Sequence, residues 1–293
     1  MKQPRCGPAW GLPMACVFLA GCSGQLGSLS GLPGAESLQS LARVGASALP
    51  ISTEAEITIG RTVAGTVVGR EPLLQNEELH SYVELVGQVV AEQSVRRGEL
   101  VFYFGILDTP EVNAYAAPGG YIFVTRGTLE LLETEAELAA ILAHEIAHVD
   151  ARHVVEELRQ GDMLRTAREE ADLTGPLLDR VAGAGTSLLF TGLSRGDEME
   201  ADSLGLLYAA GAGYQPAAFI RALERMELAE GAADADQRFR TLRTTHPPTG
   251  DRIEALRRGV DALPPDYHDG VELAERFQVI MSGLSEPENT PSG

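Results

Sequence analysis

Apolar residues recur with two different spacings in the first half of the chain, and these predict helices and strands. Across residues 77–95 apolar side chains return every three or four positions, which predicts an amphipathic helix. Residues 100–107 are aromatic and β-branched, which favours a buried strand. Residues 121–125 have the same composition and follow a Pro-Gly-Gly turn at 118–120, so we expect a second strand there.

A third apolar stripe, at residues 138–149, begins just after a helix-start signal. Thr134 and Glu137 have the spacing of a capping box, in which each side chain bonds the backbone N–H of the other residue. Gly161 is the first stop signal beyond this stripe. The pattern predicts an α+β fold, mostly helical, with a small β-sheet beside the third stripe. Further helices are expected at about 197–210, 216–229 and 250–258.

The amino terminus has the layout of a processing signal rather than of a folded element. Two basic residues, Lys2 and Arg5, precede a short apolar stretch at 14–20, and the sequence continues Gly-Cys. The resulting Leu-Ala-Gly-Cys resembles the lipobox of bacterial lipoproteins, in which the cysteine, here Cys22, carries lipid and becomes the first mature residue. An ordinary signal peptide or a buried apolar segment is the alternative. Ser23 is, by resemblance to enterobacterial lipoproteins, compatible with the outer membrane.

The chain as a whole is predicted to form one folded domain with an extension at each end. Residues 1–21 are the expected lipoprotein signal peptide, and residues 22–50, rich in Gly, Ser, Leu and Pro, are a flexible tether behind the lipidated cysteine. Residues 51–284 form the domain and residues 285–293 a disordered tail. The apolar stretch 181–193 has roughly 13 residues, fewer than the roughly 20 that span a bilayer, so we expect a buried helix.

Charge and cysteine content exclude two classes of function. The formal net charge is −19, whereas binding to nucleic-acid phosphates needs a basic surface, so no nucleic-acid partner is expected. Cys6 and Cys16 would leave with the signal peptide, and Cys22 would carry lipid. The mature chain would then have no thiol for a disulfide or for a cysteine-ligated metal.

Residues 144–148, inside the third stripe, read His-Glu-Ile-Ala-His. Four positions apart on a helix, His144 and His148 lie on one face, so both imidazoles can reach a single metal ion. Glu145 lies beside the first histidine and can take a proton from a water at that ion. This is the zinc-hydrolase pattern H-E-x-x-H, and one Zn²⁺ per chain is the expected cofactor.

Two histidines leave such a site one protein ligand short, and the acidic stretch after Ser194 offers candidates. Glu198 is the expected third ligand; the alternative is a solvated acid at a helix start. Asp202 lies four positions later on the same face, where it can accept a hydrogen bond from a metal-bound imidazole. Glu200 points away from Glu198, so both cannot face the metal. On a continuous helix His153 lies about 140° around from the second histidine, so we expect it to pack or to support a ligand.

Four blocks of sequence within residues 54–260 resemble the zinc metallopeptidase family that includes the heat-shock membrane protease HtpX and the CAAX prenyl protease. The blocks are NAYAAPGGYIFV at 113–124, HEIAHVDARH at 144–153, SRGDEMEAD at 194–202 and THPPTGDRI at 245–253. The chain is most similar to the soluble periplasmic lipoprotein members in bacteria. This resemblance implies a zincin-like metallopeptidase domain of the gluzincin type.

Carried over position by position, the resemblance also implies roles for individual residues. His246 is the leading candidate for the donor that stabilises the tetrahedral oxyanion, with Arg252 second. His246 can equally cap the metal and hold the enzyme inactive, or be structural, and the sequence leaves these alternatives open. The remaining implied roles are zinc ligand for His144, His148 and Glu198, general base for Glu145 and hydrogen-bonding support for Asp202.

Asn113, Ala114, Tyr115 and Ala116 are expected to lead into an exposed edge strand, where a peptide substrate adds by main-chain hydrogen bonds; a plain hairpin is the alternative. Such recognition tolerates many side chains and suits unfolded polypeptides. The resemblance thus implies a zinc metalloendopeptidase, lipid-anchored on the periplasmic face of the outer membrane, that cleaves misfolded or misassembled envelope proteins. The alternative is a chaperone-like or assembly factor with a structural or silenced metal site, although such a site needs no base like Glu145.

Overall fold

The computed structural model describes residues 51–160, 174–231, 235–247 and 249–284. The predicted signal peptide, Cys22 with its tether, Gly161 and the C-terminal tail lie outside the described residues. In the described part of the chain helices predominate and three strands form one small sheet, so the predicted α+β class is confirmed. None of the helices described there has both the length and the apolar character that a membrane span requires.

The described elements begin with two helices, continue through the sheet and end with a series of helices. The strands are β1 (Tyr103–Leu107), β2 (Ala114–Ala117) and β3 (Tyr121–Thr125). The helices are α1 (Thr53–Arg70), α2 (Glu77–Ala91), α3 (Arg126–Leu131), α4 (Glu135–Asp150), α5 (His153–Gln160), α6 (Gly175–Thr191), α7 (Arg195–Gly211), α8 (Ala217–Glu230), α9 (Ala235–Arg238), α10 (Leu242–Thr245), α11 (Gly250–Asp261) and α12 (Ala274–Ser282).

The sheet has the strand order β1-β3-β2. β1 and β3 run parallel, whereas β2 and β3 are antiparallel, with Ile122 opposite Phe104 on one side and Ala116 on the other. A 3₁₀ turn at Pro118–Gly120 joins β2 to β3, and Gly119 adopts a positive φ of 74° there. A side chain at Gly119 would meet the backbone of Ile57 at 2.8 Å, so glycine allows this turn to pack directly against α1.

Helix α4 lies at the centre of the domain, and every one of its residues is buried. At its first residue the Glu135 carboxylate accepts hydrogen bonds from Tyr82 (2.6 Å), Tyr214 (2.8 Å) and Arg276. At its last residue the Asp150 carboxylate accepts from the hydroxyls of Ser94 and Tyr208, each at 2.7 Å. Both ends are therefore tied to other helices. Since buried carboxylates are costly unless they are paired, these contacts fix the position of the helix.

The helix expected to continue toward Gly161 is instead broken after α4, and this prediction was wrong. Ala151 and Arg152 separate α4 from α5, and Arg152 has a left-handed φ of 60°. The break is held by the fully buried Glu56 of α1, which accepts a hydrogen bond from Arg152 at 2.8 Å. Glu56 also pairs with both terminal nitrogens of Arg96 (2.8 and 2.9 Å) and accepts from the N–H of Gly119. One carboxylate thus joins α1, the β2–β3 turn and the break.

Candidate active site

His144 and His148 are positioned by the capped start of α4. The Thr134 hydroxyl accepts a hydrogen bond from the N–H of Glu137 at 3.1 Å, which is one half of the predicted capping box. The other half is not formed, because the Glu137 carboxylate accepts from the N–H of Glu133 instead of Thr134. Four residues apart, the two histidines present their Nε2 atoms to each other at 3.0 Å, and both side chains are buried. The imidazoles therefore converge on one point, as expected from their spacing.

Glu198 reaches the same point from α7. A capping box formed by Ser194 and Asp197 starts that helix, and Glu198 stands in its first turn. Gly205 lets α7 approach closely, because a side chain there would lie 3.0 Å from the backbone of His144. The two carboxylate oxygens of Glu198 lie 3.4 Å from His144 Nε2 and 3.4 Å from His148 Nε2.

His246, which follows α10, supplies a third nitrogen and thus a fourth candidate ligand to the cluster. Its Nδ1 lies 3.1 Å from Glu198 and 3.4 Å from the Nε2 of His144. One ligand atom from each of His144, His148, Glu198 and His246 lies within 4.8 Å of the others. Tetrahedral zinc, with bonds of about 2.0–2.1 Å, separates its ligand atoms by about 3.3–3.4 Å, so these side chains fit such an ion.

The electrostatics of the cluster also favour a cation. Three buried carboxylates, Glu145, Glu198 and Asp202, meet one buried guanidinium, that of Arg252. Burial opposes protonation of His144, but the hydrogen bonds and charges of Asp202 and Glu198 outweigh it and raise its pKa to about 9. An excess of negative charge in a site closed to water attracts positive charge strongly.

Glu145 has the environment that a general base needs. Its side chain is buried, and its Oε2 has no hydrogen-bond partner in the part of the chain that the structure describes. Its Oε1 lies 3.9 Å from the Nε2 of His246. Burial raises the pKa of Glu145 above its ordinary value. A carboxylate shifted in this direction takes up a proton more readily at neutral pH.

Asp202 of α7 and Arg252 of α11 lie next to the candidate ligands. Asp202 Oδ1 lies 3.1 Å from the Nδ1 of His144, and the Arg252 guanidinium binds both Asp202 oxygens at 2.7 Å. Burial alone would raise the pKa of Asp202, but Arg252 and His144 outweigh it and lower the value to about 2. The guanidinium also lies 3.0 Å from Glu198. Arg252 therefore faces the carboxylates that surround the histidines.

His153 contacts His148 because of the break that Glu56 holds. The two Nδ1 atoms lie 2.7 Å apart, and both rings are buried. On the opposite side of its ring, His153 Nε2 lies 3.7 Å from Asp197 and 3.6 Å from Glu200. The angle of about 140° expected on a continuous helix does not apply, because the helix is broken between the two histidines. His153 nevertheless lies against the candidate ligand His148, as expected. A metal ion bound by Nε2 of His148 would leave the ring proton on Nδ1, which could then donate to Nδ1 of His153.

β2 is an edge strand of the sheet, but it is not exposed, so this part of the expectation was wrong. Its residues are buried, and Asn113, just before it, has its Oδ1 3.1 Å from the Thr245 hydroxyl. The Asn113 carbonyl accepts a hydrogen bond from the N–H of Thr125 in β3. Since alternate residues of an antiparallel strand face its partner, the backbone groups of Ala114 and Ala116 point toward the free edge. A cleft of about 260 Å³, lined by Tyr115, Ala116 and the end of α6, runs along this edge to Glu145 and His246.

No local pattern in the sequence signals the Glu56 network or the residues that cover β2. Glu56 lies about ninety positions before the histidines, in a helix whose polar pattern is unremarkable. Its partners Arg96 and Arg152 are far from it in sequence, and only the folded chain brings the three together. A buried charge in a helix that also contains exposed acids cannot be recognised from local spacing.

Fold and site together define a class of protein, the metallopeptidases. The model of Peptidase family M48 matches residues 74–260, which is more than half of the chain. This chain therefore belongs to peptidase family M48.

Two groups of relatives are similar to this chain. It is 35% identical to the mitochondrial metalloendopeptidase OMA1 of Schizosaccharomyces pombe over 192 residues, 62% of this chain and 55% of that protein. It is 26% identical over 265 residues to the beta-barrel assembly-enhancing protease of Yersinia pestis, with 82% of this chain and 52% of that protein covered. The corresponding protein of Escherichia coli K12 is 25% identical over 249 residues, 79% of this chain and 49% of that protein. The chain spans about half the length of these relatives.

Proposed function

We propose that this protein is a zinc-dependent endopeptidase that cleaves unfolded or misassembled polypeptides. The observation that carries the proposal is the convergence of His144, His148 and Glu198 on one point, with the buried Glu145 beside it. Two histidines and a carboxylate are a ligand set used by catalytic zinc, and such sites keep one position open for reaction. A structural site would fill all four positions and would need no neighbouring base.

In this proposal each residue of the site has a defined task. Zinc, when bound by the two histidines and Glu198, supplies a Lewis acid that polarises the scissile carbonyl and makes water a better nucleophile at neutral pH. Glu145 accepts the proton of the attacking water at its free Oε2 and delivers it to the leaving amine. Asp202 and His153 hold the imidazoles of His144 and His148 by their outer Nδ1 atoms, which fixes tautomer and ring orientation.

The free edge of β2 is the proposed binding place for the substrate backbone. The groups of Ala114 and Ala116 that point away from β3 can pair with an added peptide strand. The cleft along this edge leads directly to Glu145, so a strand bound there would pass the catalytic base. Main-chain recognition requires an extended substrate, which a folded protein does not offer.

We further propose that the protein is anchored by lipid on Cys22 at the periplasmic face of the outer membrane. The lipobox-like sequence supports this location, as does the similarity to beta-barrel assembly-enhancing proteases. A chaperone-like or assembly factor with a silenced metal site is the second candidate function. Mass spectrometry of the protein from its host decides the anchor, because absence of lipid on Cys22 would contradict it.

Zinc dependence of proteolysis tests the proposed function. Purified protein is expected to cleave casein, to lose this activity when 1,10-phenanthroline removes the metal, and to regain it when zinc is restored. The reason is that Glu145 alone cannot polarise the substrate carbonyl. Casein cleavage that persists after zinc has been removed to below detection would contradict the proposal, and a zinc-loaded protein without any peptidase activity would favour the assembly factor.

His246 is proposed to act as a cap on the metal. Its Nδ1 lies among the ligand atoms, at 3.1 Å from Glu198, where it would fill the position that a substrate needs. The variant His246→Ala should therefore raise casein cleavage; if the cap is closed roughly nine-tenths of the time, the rise is about tenfold. A fall in activity with zinc retained would contradict the cap and favour an oxyanion donor. His268→Ala, far along the chain, is the matched control.

A further inference from the structure

A second cleft reaches the catalytic base from the direction of α8. It has a volume of about 330 Å³, including its open mouth, and both His144 and Glu145 line it. It is walled mainly by apolar side chains from α4, α8 and α10, and we call it the α8 pocket. These walls are Ile141, Phe219, Leu223, Met226 and Leu242, all of them buried.

Two charged groups border the α8 pocket, and the positive one, Arg252, is already neutralised. Its guanidinium donates to both oxygens of Asp202 and to the carbonyl of Pro247, and it pairs with Glu198. Its charge is therefore committed to the site and offers nothing to an acidic side chain. A lysine or arginine side chain would be buried among apolar walls, with the base Glu145 as the one carboxylate among the lining residues. Burial of an unpaired charge is costly, whereas an apolar side chain gains free energy there.

The side-chain amide nitrogen of Asn113, at the α8 pocket, lacks a hydrogen-bond partner. The Nδ2 of Asn113, a residue whose exposed fraction is 1%, makes no hydrogen bond within the described residues, and Asn113 lines this pocket. An unsatisfied buried donor is unfavourable, and a peptide carbonyl bound at the pocket would satisfy it. Asn113 directly precedes β2, so it lies where a peptide paired with that strand would continue.

We propose that the α8 pocket selects substrates by binding an apolar side chain of the residue on one fixed side of the cleaved bond, while Asn113 donates to the backbone carbonyl of that residue. The proposal rests on the peptidase function inferred above and adds its specificity. Because Glu145 lines both the α8 pocket and the cleft along β2, a peptide in the cleft has its reactive bond beside the pocket. The substrate is thus an unfolded segment with a leucine, methionine, isoleucine or phenylalanine next to the cleavage point.

Leu223 is the wall residue best suited to test this proposal. It belongs to α8, and its apolar side chain is neither a candidate metal ligand nor a base. It can therefore be changed without removing catalytic machinery. Leu223→Ala enlarges the pocket, and Leu223→Phe fills it. Leu228 lies on the same helix with an exposed fraction of 80%, so Leu228→Ala and Leu228→Phe are matched controls.

The experiment digests a mixture of unstructured peptides with the zinc-loaded full chain and identifies the new termini by mass spectrometry. Wild type should enrich large apolar residues at one position beside the cleaved bond and deplete charged ones. For two peptides that differ only at this position, the kcat/KM for the leucine peptide divided by that for the alanine peptide should be at least about tenfold lower in Leu223→Phe than in wild type. Leu223→Ala should shift preference toward phenylalanine, and both Leu228 variants should match wild type. Each ratio compares two peptides on one preparation, so partial unfolding of a variant cancels.

Two outcomes would overturn the pocket while leaving the peptidase function intact. These are cleavage without apolar enrichment at any position, and apolar enrichment that stays the same in both Leu223 variants. Failure of the proposed function would look different, because then no peptide is cleaved by any preparation. Peptides retained by the inactive Glu145→Gln variant give a readout without turnover. If the retained peptides are enriched in apolar residues and the double variant Glu145→Gln/Leu223→Phe loses this enrichment, the pocket is supported. If the double variant retains the same peptides, the pocket is overturned.

Discussion

Replacing Glu145 by glutamine is expected to lower kcat/KM for peptide cleavage by about 10²–10⁴-fold, the usual contribution of a general base. Glutamine has nearly the same shape as glutamate but cannot accept and release a proton at neutral pH. The other buried carboxylates at the cluster, Glu198 and Asp202, are paired with Arg252, so neither replaces the free Oε2 of Glu145. Initial rates on a fluorogenic peptide, measured with zinc-saturated enzyme, give the ratio.

The matched control for this prediction is Glu254→Gln, whose carboxylate is exposed on α11. Its rate should equal that of wild type. Equal thermal midpoints for Glu145→Gln and wild type would exclude misfolding as the cause of lost activity. If Glu145→Gln kept even a tenth of wild-type activity, the assignment of Glu145 as the base would have to be abandoned.

Glu56→Ala is expected to lower the free energy of unfolding by about 3–5 kcal/mol, the cost of breaking a buried ion pair by removing one partner. The fully buried Glu56 carboxylate neutralises Arg96 and Arg152, whose side chains are 8% and 12% exposed. Without it, two guanidinium groups face each other in the domain interior. Urea unfolding of the zinc-saturated chain, followed by circular dichroism, measures the difference.

Glu54→Ala is the control for this stability prediction, since Glu54 is exposed on the same helix and should cost less than about 0.5 kcal/mol. A loss below about 1 kcal/mol in Glu56→Ala would show that the network contributes little.

His153→Phe separates the effect of the helix break on stability from its effect on metal binding. It keeps Glu56 and its arginines but removes the hydrogen bond to His148, so it should weaken zinc binding about 10–100-fold.

Local spacing was sufficient to predict the ligand-bearing parts of the site. His144 and His148 are neighbours because residues four apart share a helix face, and this holds wherever the helix lies. Thr134 and Glu137 signalled the start of that helix, and the start was found where they indicated. β3 covers the predicted residues 121–125, since its β-branched and aromatic run begins directly after the turn with glycines.

The features that escaped prediction depend on contacts between distant parts of the chain. The break at Arg152 requires Glu56, and the position of His153 follows from the break rather than from helical periodicity. β2 was expected to be exposed because edge strands often are, but the end of α6 and the residues around Thr245 cover it. The walls of the α8 pocket look like ordinary core positions in sequence, because burial beside a reactive group has the same apolar pattern as burial elsewhere.

The zinc content of Glu198→Ala, compared with Glu145→Gln and Glu200→Ala, shows whether His144, His148 and Glu198 hold a catalytic zinc served by Glu145. Each protein is equilibrated with equimolar zinc against a competing chelator, and bound metal is measured by mass spectrometry. We expect one zinc per chain in wild type, Glu145→Gln and Glu200→Ala, and little zinc in Glu198→Ala. Zinc retained by Glu198→Ala as tightly as by wild type would contradict this expectation.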